Sequence, residues 1–365
     1  MKITFLLPVL DLSGGNRVVA TYASMLCQLG HSVTVVIARP KPIPWRARLL
    51  AGSWRRQVAP SLEEMRSKSH FAGLQVSLRL AAVPGGIQTS DVPDGDVVIA
   101  TWWETAEWAM SLSSNKGIPI SFVQGHEVFD YLPVERARAT YRLPIHRITI
   151  SRWLLDILRN QYGVEADLIP NAVDHKVFYA KLRSKQQRPT VGLLFTHSLT
   201  KGVAVAARAL LRLAQEFPDL RIVSFGSGAE EKFLGLDSLI EFTRRPSQEH
   251  IREIYSSCDV WLSASTSEGF NLPSLEAMAC GAPVVATRTG WPLESIVDGQ
   301  NGFLIDIGDE DAMVSRVGQI LRLSPREWQR MSSNALSCAS RYTWDESVKL
   351  FEHSLIRACS NATSP

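Results

Sequence analysis

Short runs rich in valine and isoleucine, most of them separated by helical patterns, recur along this chain. In the first half they fall at 3–9, 33–38, 97–100, 118–123 and 147–150. After Pro170 they begin again, at 190–195, 221–225, 239–242, 259–263, 283–287 and 302–305. Strands buried on both faces read this way, and their alternation with helices implies parallel sheets. Between the first two runs, Val18, Val19, Tyr22, Met25, Leu26 and Leu29 keep helical spacing and Gly30 stops the helix. In the second half, helices are predicted at 203–216, 248–256, 273–280 and 310–323. The expected fold is α/β: two Rossmann-like domains joined near 169–178, with ligands bound beyond the carboxyl ends of the strands, in the interdomain cleft.

A length of 365 residues suits two domains. Apolar residues at 45% and charged residues at 21% describe a globular chain and exclude wholesale disorder. A net charge of +3 is too small to argue for nucleic acid as a partner. The five cysteines are scattered, with no CxxC spacing, which argues against a zinc site and a disulfide framework and favours a reducing cytoplasm. The amino terminus carries a single lysine before a short apolar run, a poor signal peptide, and no stretch approaches a membrane span. A membrane role is therefore expected to be peripheral, at the inner face.

One segment is unlike the rest. Residues 39–56 hold six basic residues, no acidic one, three prolines, Trp45 and Trp54. It reads either as an acceptor-recognition or membrane-surface element or as a solvated loop.

The most informative stretch is Ser267-Glu268-Gly269-Phe270-Asn271-Leu272-Pro273-Ser274-Leu275-Glu276, followed by Ala277-Met278-Ala279-Cys280-Gly281-Ala282-Pro283-Val284-Val285-Ala286. A strand ends near Ser263, Pro273 suits a first helical turn and Gly281 stops the helix. Glu276 then sits one turn into a helix whose unsatisfied amides face the loop holding Glu268. Such a helix start is a ready site for a pyrophosphate. Carboxylates beside it make sense as hydroxyl acceptors, one for a ribose and one for a sugar. Taken alone, the two glutamates read rather as a dipole-balancing residue and a surface loop residue, and it is the whole stretch that turns the reading toward a ligand site.

The pair and the Gly281–Ala286 run resemble the signature of retaining nucleotide-sugar glycosyltransferases of family 4, which have the GT-B fold. Gly14-Gly15, His126-Glu127, Ile150-Ser151-Arg152-Trp153-Leu154, Ile169-Pro170-Asn171-Ala172-Val173-Asp174, Lys201-Gly202 and Gly299-Gln300-Asn301-Gly302 agree in order. Phe122-Val123-Gln124 and Ala139-Thr140-Tyr141-Arg142 are similar to bacterial rhamnosyltransferases of polysaccharide synthesis.

The resemblance implies a division into an acceptor-side domain at 1–170, a nucleotide-sugar domain at 171–343 and a carboxyl-terminal helix at 344–365 that returns to the first domain. It implies that Glu276 binds the nucleotide ribose and Glu268 the donor sugar, while Lys201 answers the diphosphate. Amides around Gly269, Phe270, Asn271 and Leu272 assist. His126 meets the donor sugar, and Gly14 and Gly15 let the backbone approach donor or acceptor. The implied partners are a nucleotide-sugar co-substrate, UDP first with dTDP or GDP next, and a glycan or lipid-linked acceptor. No cofactor and no metal are expected.

Two departures stand out. The arginine usual five residues before the lysine is Thr196 here, leaving His197, Ser198, Arg244 and Arg245 as candidates to replace it. The usual glycine pair near 290 reads Gly290-Trp291. The missing arginine motivates a second reading, a catalytically weak sugar-nucleotide-binding subunit. Trp102, Trp103 and Glu104 follow a strand end and form either an acceptor platform or, for at least one tryptophan, core. Asp94-Gly95-Asp96 spells a metal-binding triplet but precedes a strand directly, so it reads as a turn. A nicotinamide site is unsupported, because the first loop lacks G-x-G-x-x-G.

Overall fold

The computed structural model describes residues 1–40, 60–180, 183–196, 198–228 and 234–363. Most of the basic segment 39–56, together with His197, lies outside the described residues. The chain divides into two compact units. One comprises Met1–Thr149, Leu155–Ile169 and Val348–Pro365, the other Ile150–Leu154 and Pro170–Ser347.

The first unit is built on a seven-stranded sheet of β1 (Lys2–Leu7), β2 (Ser32–Arg39), β3 (Ser77–Pro84), β4 (Val97–Ala100), β5 (Ile118–Val123), β6 (His146–Thr149) and β7 (Asp167–Leu168). Its order is β3-β2-β1-β4-β5-β6-β7, every pair parallel. The four residues of β4 are all buried, as the apolar runs require. β3 was not anticipated. It is an edge strand whose residues are mostly exposed, so its sequence carries no continuous apolar run.

Helix α1 (Gly14–Gln28) starts where the Ser13 hydroxyl accepts from the Asn16 amide at 3.3 Å, and it ends ahead of Gly30, at φ +89°. Val18, Val19, Tyr22 and Leu26 face inward as the spacing predicts, joined by Ala23, whereas Met25 is half-buried and Leu29, past the helix end, is exposed. Around the sheet follow α2 (Leu62–Ser67), α3 (Trp103–Ser111), α4 (Val134–Thr140) and α5 (Arg152–Tyr162).

The second unit has a six-stranded parallel sheet of β8 (Thr190–Leu194), β9 (Arg221–Gly226), β10 (Ile240–Arg244), β11 (Val260–Ser263), β12 (Val284–Thr287) and β13 (Gly302–Ile305). The order β10-β9-β8-β11-β12-β13 is that of a dinucleotide-binding Rossmann sheet. Its helices are α6 (Val203–Glu216), α7 (Gln248–Ser256), α8 (Leu272–Ala279), α9 (Pro292–Ser295), α10 (Glu310–Arg322) and α11 (Pro325–Ala339). Val191, Leu193, Val260, Leu262, Leu210 and Val317 are among the residues that close its core.

The last helix, α12 (Trp344–Thr363), contributes Val348 onward to the first unit. There Phe351 is fully buried, stacked on Tyr22 with ring centroids 4.3 Å apart and edge-on to Phe122 at 5.2 Å. His31 Nε2 meets Glu352 at 2.7 Å. Among the described residues no helix is long and apolar enough to cross a membrane.

Candidate active site

In the second unit the chain leaves β11 at Ser263 and re-enters a helix at Leu272, and the loop between carries Glu268. Asn271 caps α8 in the left-handed conformation, φ +83°, with its side-chain oxygen on the Ser274 hydroxyl at 3.0 Å and its amide on the Ser263 hydroxyl at 2.8 Å. Asn tolerates that conformation better than most residues. The cap also changes what the helix can offer an anion. Pro273 has no N–H, and the Ser274 amide is turned to Asn271, so the first helical turn itself supplies little beyond the Leu272 amide.

Glu268 is nearly enclosed, its side chain 10% exposed. Its Oε1 accepts from Lys201 Nζ at 2.6 Å and from the Ser265 hydroxyl at 2.7 Å. Lys201 ends a single 3₁₀ turn, Leu199–Lys201, just before Gly202, whose φ of +62° begins α6. A Cβ at Gly202 would stand 1.9 Å from the Ala264 carbonyl, so only glycine lets Lys201 come down beside β11. Lys201, Glu268, Ser265, Asn271 and Pro273 line one concavity of about 330 Å³. Ser198 is exposed, bonded to the Thr200 hydroxyl at 2.9 Å.

Glu276, 4% exposed, accepts from the Tyr255 hydroxyl at 3.0 Å. The loop between them and β12 is pinned by its neighbours. The Glu268 amide donates to Thr289 Oγ1 at 3.0 Å, and the Trp291 amide donates to the Phe270 carbonyl at 2.8 Å. Phe270 stacks on Trp291 at 5.7 Å. Gly290 keeps the left-handed φ of +65° there, and a Cβ on it would meet the Phe270 carbonyl at 2.9 Å. Trp291 thus stands where a second glycine was expected without disturbing that approach.

In the first unit, Gly14 and Gly15 open α1 in helical conformation. Trp102 caps α3 and is half-buried, Trp103 is 5% exposed, and Glu104 lies in the first helical turn. The Arg136 guanidinium sits 5.3 Å from the Trp103 ring centroid and pairs with Glu107. Trp102, Trp103, Ser121, Glu127 and Tyr141 line a pocket of about 220 Å³. Glu127 is 6% exposed and accepts from the Trp103 amide at 2.7 Å. Burial pushes its carboxyl up to about 8, with the Trp103 amide pulling the other way. His126 Nε2 lies 2.7 Å from the Tyr162 hydroxyl. Burial, aided by the Arg138 charge, holds its pKa below the ordinary histidine value, so the ring is neutral at pH 7.

Residues 190–322 match the family model described as Glycosyl transferases group 1. Over that stretch the chain resembles the group 1 glycosyltransferases. It transfers sugar from a nucleotide sugar to an acceptor, and its two α/β units, each built on a parallel sheet, have the GT-B fold. A D-inositol 3-phosphate glycosyltransferase of Acidothermus cellulolyticus is 26% identical across 93% of this chain and 84% of its own length. A GDP-mannose-dependent alpha-(1-6)-phosphatidylinositol monomannoside mannosyltransferase of Mycolicibacterium smegmatis is 30% identical across 55% of this chain and 60% of its own. HepE of Anabaena, crystallised with UDP-glucose, superposes with a TM-score of 0.71 at 17% identity, covering 99% of this chain and all of that one.

Of the proposed arginine substitutes in this glycosyltransferase, Arg245 is engaged in its own turn: φ is +47°, its amide donates to the Gly226 carbonyl and its Nε to the Ser227 carbonyl at 2.9 Å. Asp94 is held by Lys116 and Asn115 at 2.7 Å each, and Asp96 accepts from the Lys2 amide, so both carboxylates of the triplet serve the turn. Tyr255, Ser265 and Thr289 were not foreseen as site residues. Ser265 lies only three positions before Glu268, a spacing at which a loop side chain can fold back on its neighbour, and was readable. Tyr255 and Thr289 reach the site through packing.

Proposed function

We propose that the enzyme moves a hexosyl group, with retention at the anomeric carbon, from a nucleoside-diphosphate sugar to a hydroxyl of a glycan or lipid-linked acceptor, without a metal ion. The Lys201–Glu268 pair carries this reading. It sets one cation and one carboxylate side by side in the concavity next to the start of α8, the charges a diphosphate and a sugar hydroxyl call for. Glu268 accepts donor-sugar hydroxyls through Oε2, since among the described residues both its side-chain partners sit on Oε1. Glu276, set by Tyr255, accepts from the ribose. The bond from the anomeric carbon to the phosphate oxygen breaks through an oxocarbenium-like state, and that oxygen takes the acceptor's proton as the new glycosidic bond forms on the same face. Lys201 and the loop amides stabilise the departing charge.

The first unit takes the acceptor, with Trp102 and Glu104 as contacts. The burial of Trp103 leaves Trp102 as the stacking face. His126, neutral, serves as a hydrogen-bond partner of the donor sugar. UDP is the first donor and GDP the second, the latter on the likeness to the mannosyltransferase. A dTDP-linked deoxyhexose is a further donor class, resting on Phe122-Val123-Gln124 and residues 139–142.

The test is a panel of UDP-, GDP- and dTDP-sugars, followed for nucleotide release and transfer with and without chelator, beside Glu276→Gln. Turnover on one donor, unmoved by chelator, is expected, with nucleotide affinity about 10-fold weaker in the variant, the scale of one charge-assisted hydrogen bond. Binding without transfer or donor hydrolysis across the panel overturns the reading in favour of a sugar-nucleotide-binding subunit, the possibility that Thr196 raises.

A further inference from the structure

Ser151, which the reaction as described leaves unused, is fully buried in the second unit, although the stretches on either side, up to Thr149 and from Leu155 to Ile169, belong to the first. Its hydroxyl donates to the Gly269 carbonyl at 2.7 Å and accepts from the Leu154 amide at 3.3 Å. The next residue is tied down as well: the Arg152 amide reaches the two Glu294 carboxylate oxygens at 3.2 and 3.3 Å. A short segment, 150–154, is thus fastened at Gly269 to the loop that holds Glu268 and at Glu294 to α9.

The consequence follows from the planarity of the peptide bond. In a trans peptide the carbonyl and the following N–H point in opposite directions, and there is no cis bond among the described residues. Fixing the Gly269 carbonyl on Ser151 therefore aims the Phe270 N–H away from Ser151. The next peptide is fixed in the same manner, its Phe270 carbonyl on the Trp291 amide, which aims the Asn271 N–H. Two successive amides beside Glu268 are oriented by their carbonyls, and glycine at 269 has little stiffness of its own to keep that peptide from turning. Thr289, Gly290 and Trp291 hold the loop from one strand end. Ser151, 118 residues earlier than Gly269, holds it from another direction.

We propose that Ser151 is a positioning residue that points the Phe270 amide at the donor's diphosphate. The proposal rests on the glycosyl-transfer reading for what the amide meets, and on the hydrogen bond alone for how the amide is aimed. Because charge on the phosphate grows as the sugar departs, the amide acts more strongly on the transition state and on the free nucleoside diphosphate than on the intact donor.

The experiment compares Ser151→Ala with Ser151→Thr, which keeps a hydroxyl donor. Expected for the alanine variant are kcat about 10-fold lower, product inhibition by the nucleoside diphosphate weakened to a similar extent, and donor KM within about threefold, the threonine variant recovering most of the loss. Amide deuterium uptake across 269–272 is expected to quicken in the alanine variant and return in the threonine one. Should Ser151→Ala fail to fold, Ser151→Cys, similar in volume but a weak donor, is read in its place. Unchanged uptake overturns the positioning role whatever the activity. A threonine variant as poor as the alanine one overturns it too, by assigning the loss to packing. Quickened uptake in a protein that turns over no donor at all instead leaves Ser151 as the loop's anchor and removes glycosyl transfer as the reason for it.

Discussion

Replacing Glu268 by glutamine is expected to lower turnover by about 10³-fold while the affinity for nucleoside diphosphate stays within about threefold. Glutamine keeps the shape and one acceptor oxygen but removes the charge, and two consequences follow. The donor hydroxyl loses a charge-assisted acceptor, and Lys201, whose ammonium lies 2.6 Å from Glu268 Oε1, loses its partner. The pair is mostly enclosed, its side chains 27% and 10% exposed, so neither charge is well served by water once the other is gone. Lys201→Ala is expected to do more at the binding step, weakening nucleoside diphosphate about 10- to 100-fold, because the departing charge loses its cation. As the two share a contact, the double variant should lose less than the product of the single losses. Steady-state rates and calorimetric titrations on the three variants measure all of this. Turnover of the glutamine variant within threefold of the parent would remove Glu268 from the chemistry.

Much of the framework that positions this pair is legible in the sequence, for a physical reason. A parallel strand covered on both faces must be apolar throughout, so Val97–Ala100 and Val284–Thr287 announce themselves, and both are fully buried. The same logic hides Ser77–Pro84, an edge strand with one half-paired flank and mostly exposed residues. Helix Pro325–Ala339 was missed for a different reason. Its start carries a complete capping box, Ser324 with Glu327, and a proline in the first turn, a local signal that was present and unread. At the site, the seven residues between Glu268 and Glu276 could be read as a strand-end loop and a helix, which fixes where the carboxylates stand along the chain. Their partners could not. Lys201, Tyr255 and Thr289 come from three other elements, and the Ser151–Gly269 bond joins residues that only folding brings together. The departure at Thr196 shows the limit from the other side: a missing residue is visible in a sequence, whereas what takes its place is a matter of geometry.

Stability that falls as pH rises is the second large effect, and it originates at Glu127. In the unfolded chain this carboxyl titrates near 4.5, whereas burial pushes it up to about 8 in the fold. Between those values the folded protein keeps a proton that the unfolded chain has released. The folded state binds more protons, so stability drops with increasing pH over that window and levels off above it. At 1.36 kcal/mol for each pH unit, the drop due to Glu127 reaches roughly 3 kcal/mol by pH 7. Glu127→Gln removes the titration and preserves an oxygen for the Trp103 amide, which lies 2.7 Å away. The absolute stability of the variant depends on whether the extra amide hydrogen finds an acceptor in the pocket, at a cost of about 1–3 kcal/mol if it does not. The pH slope does not depend on that. Every other titrating group is common to both proteins, so the stability of the variant minus that of the parent should rise by roughly 3 kcal/mol from pH 4.5 to pH 7 and flatten above about 8. Urea unfolding at pH 5, 6, 7 and 8 measures it. A difference that stays constant across that series would mean that Glu127 is already ionised in the fold, with a counter-charge or solvent reaching its pocket beside Trp103.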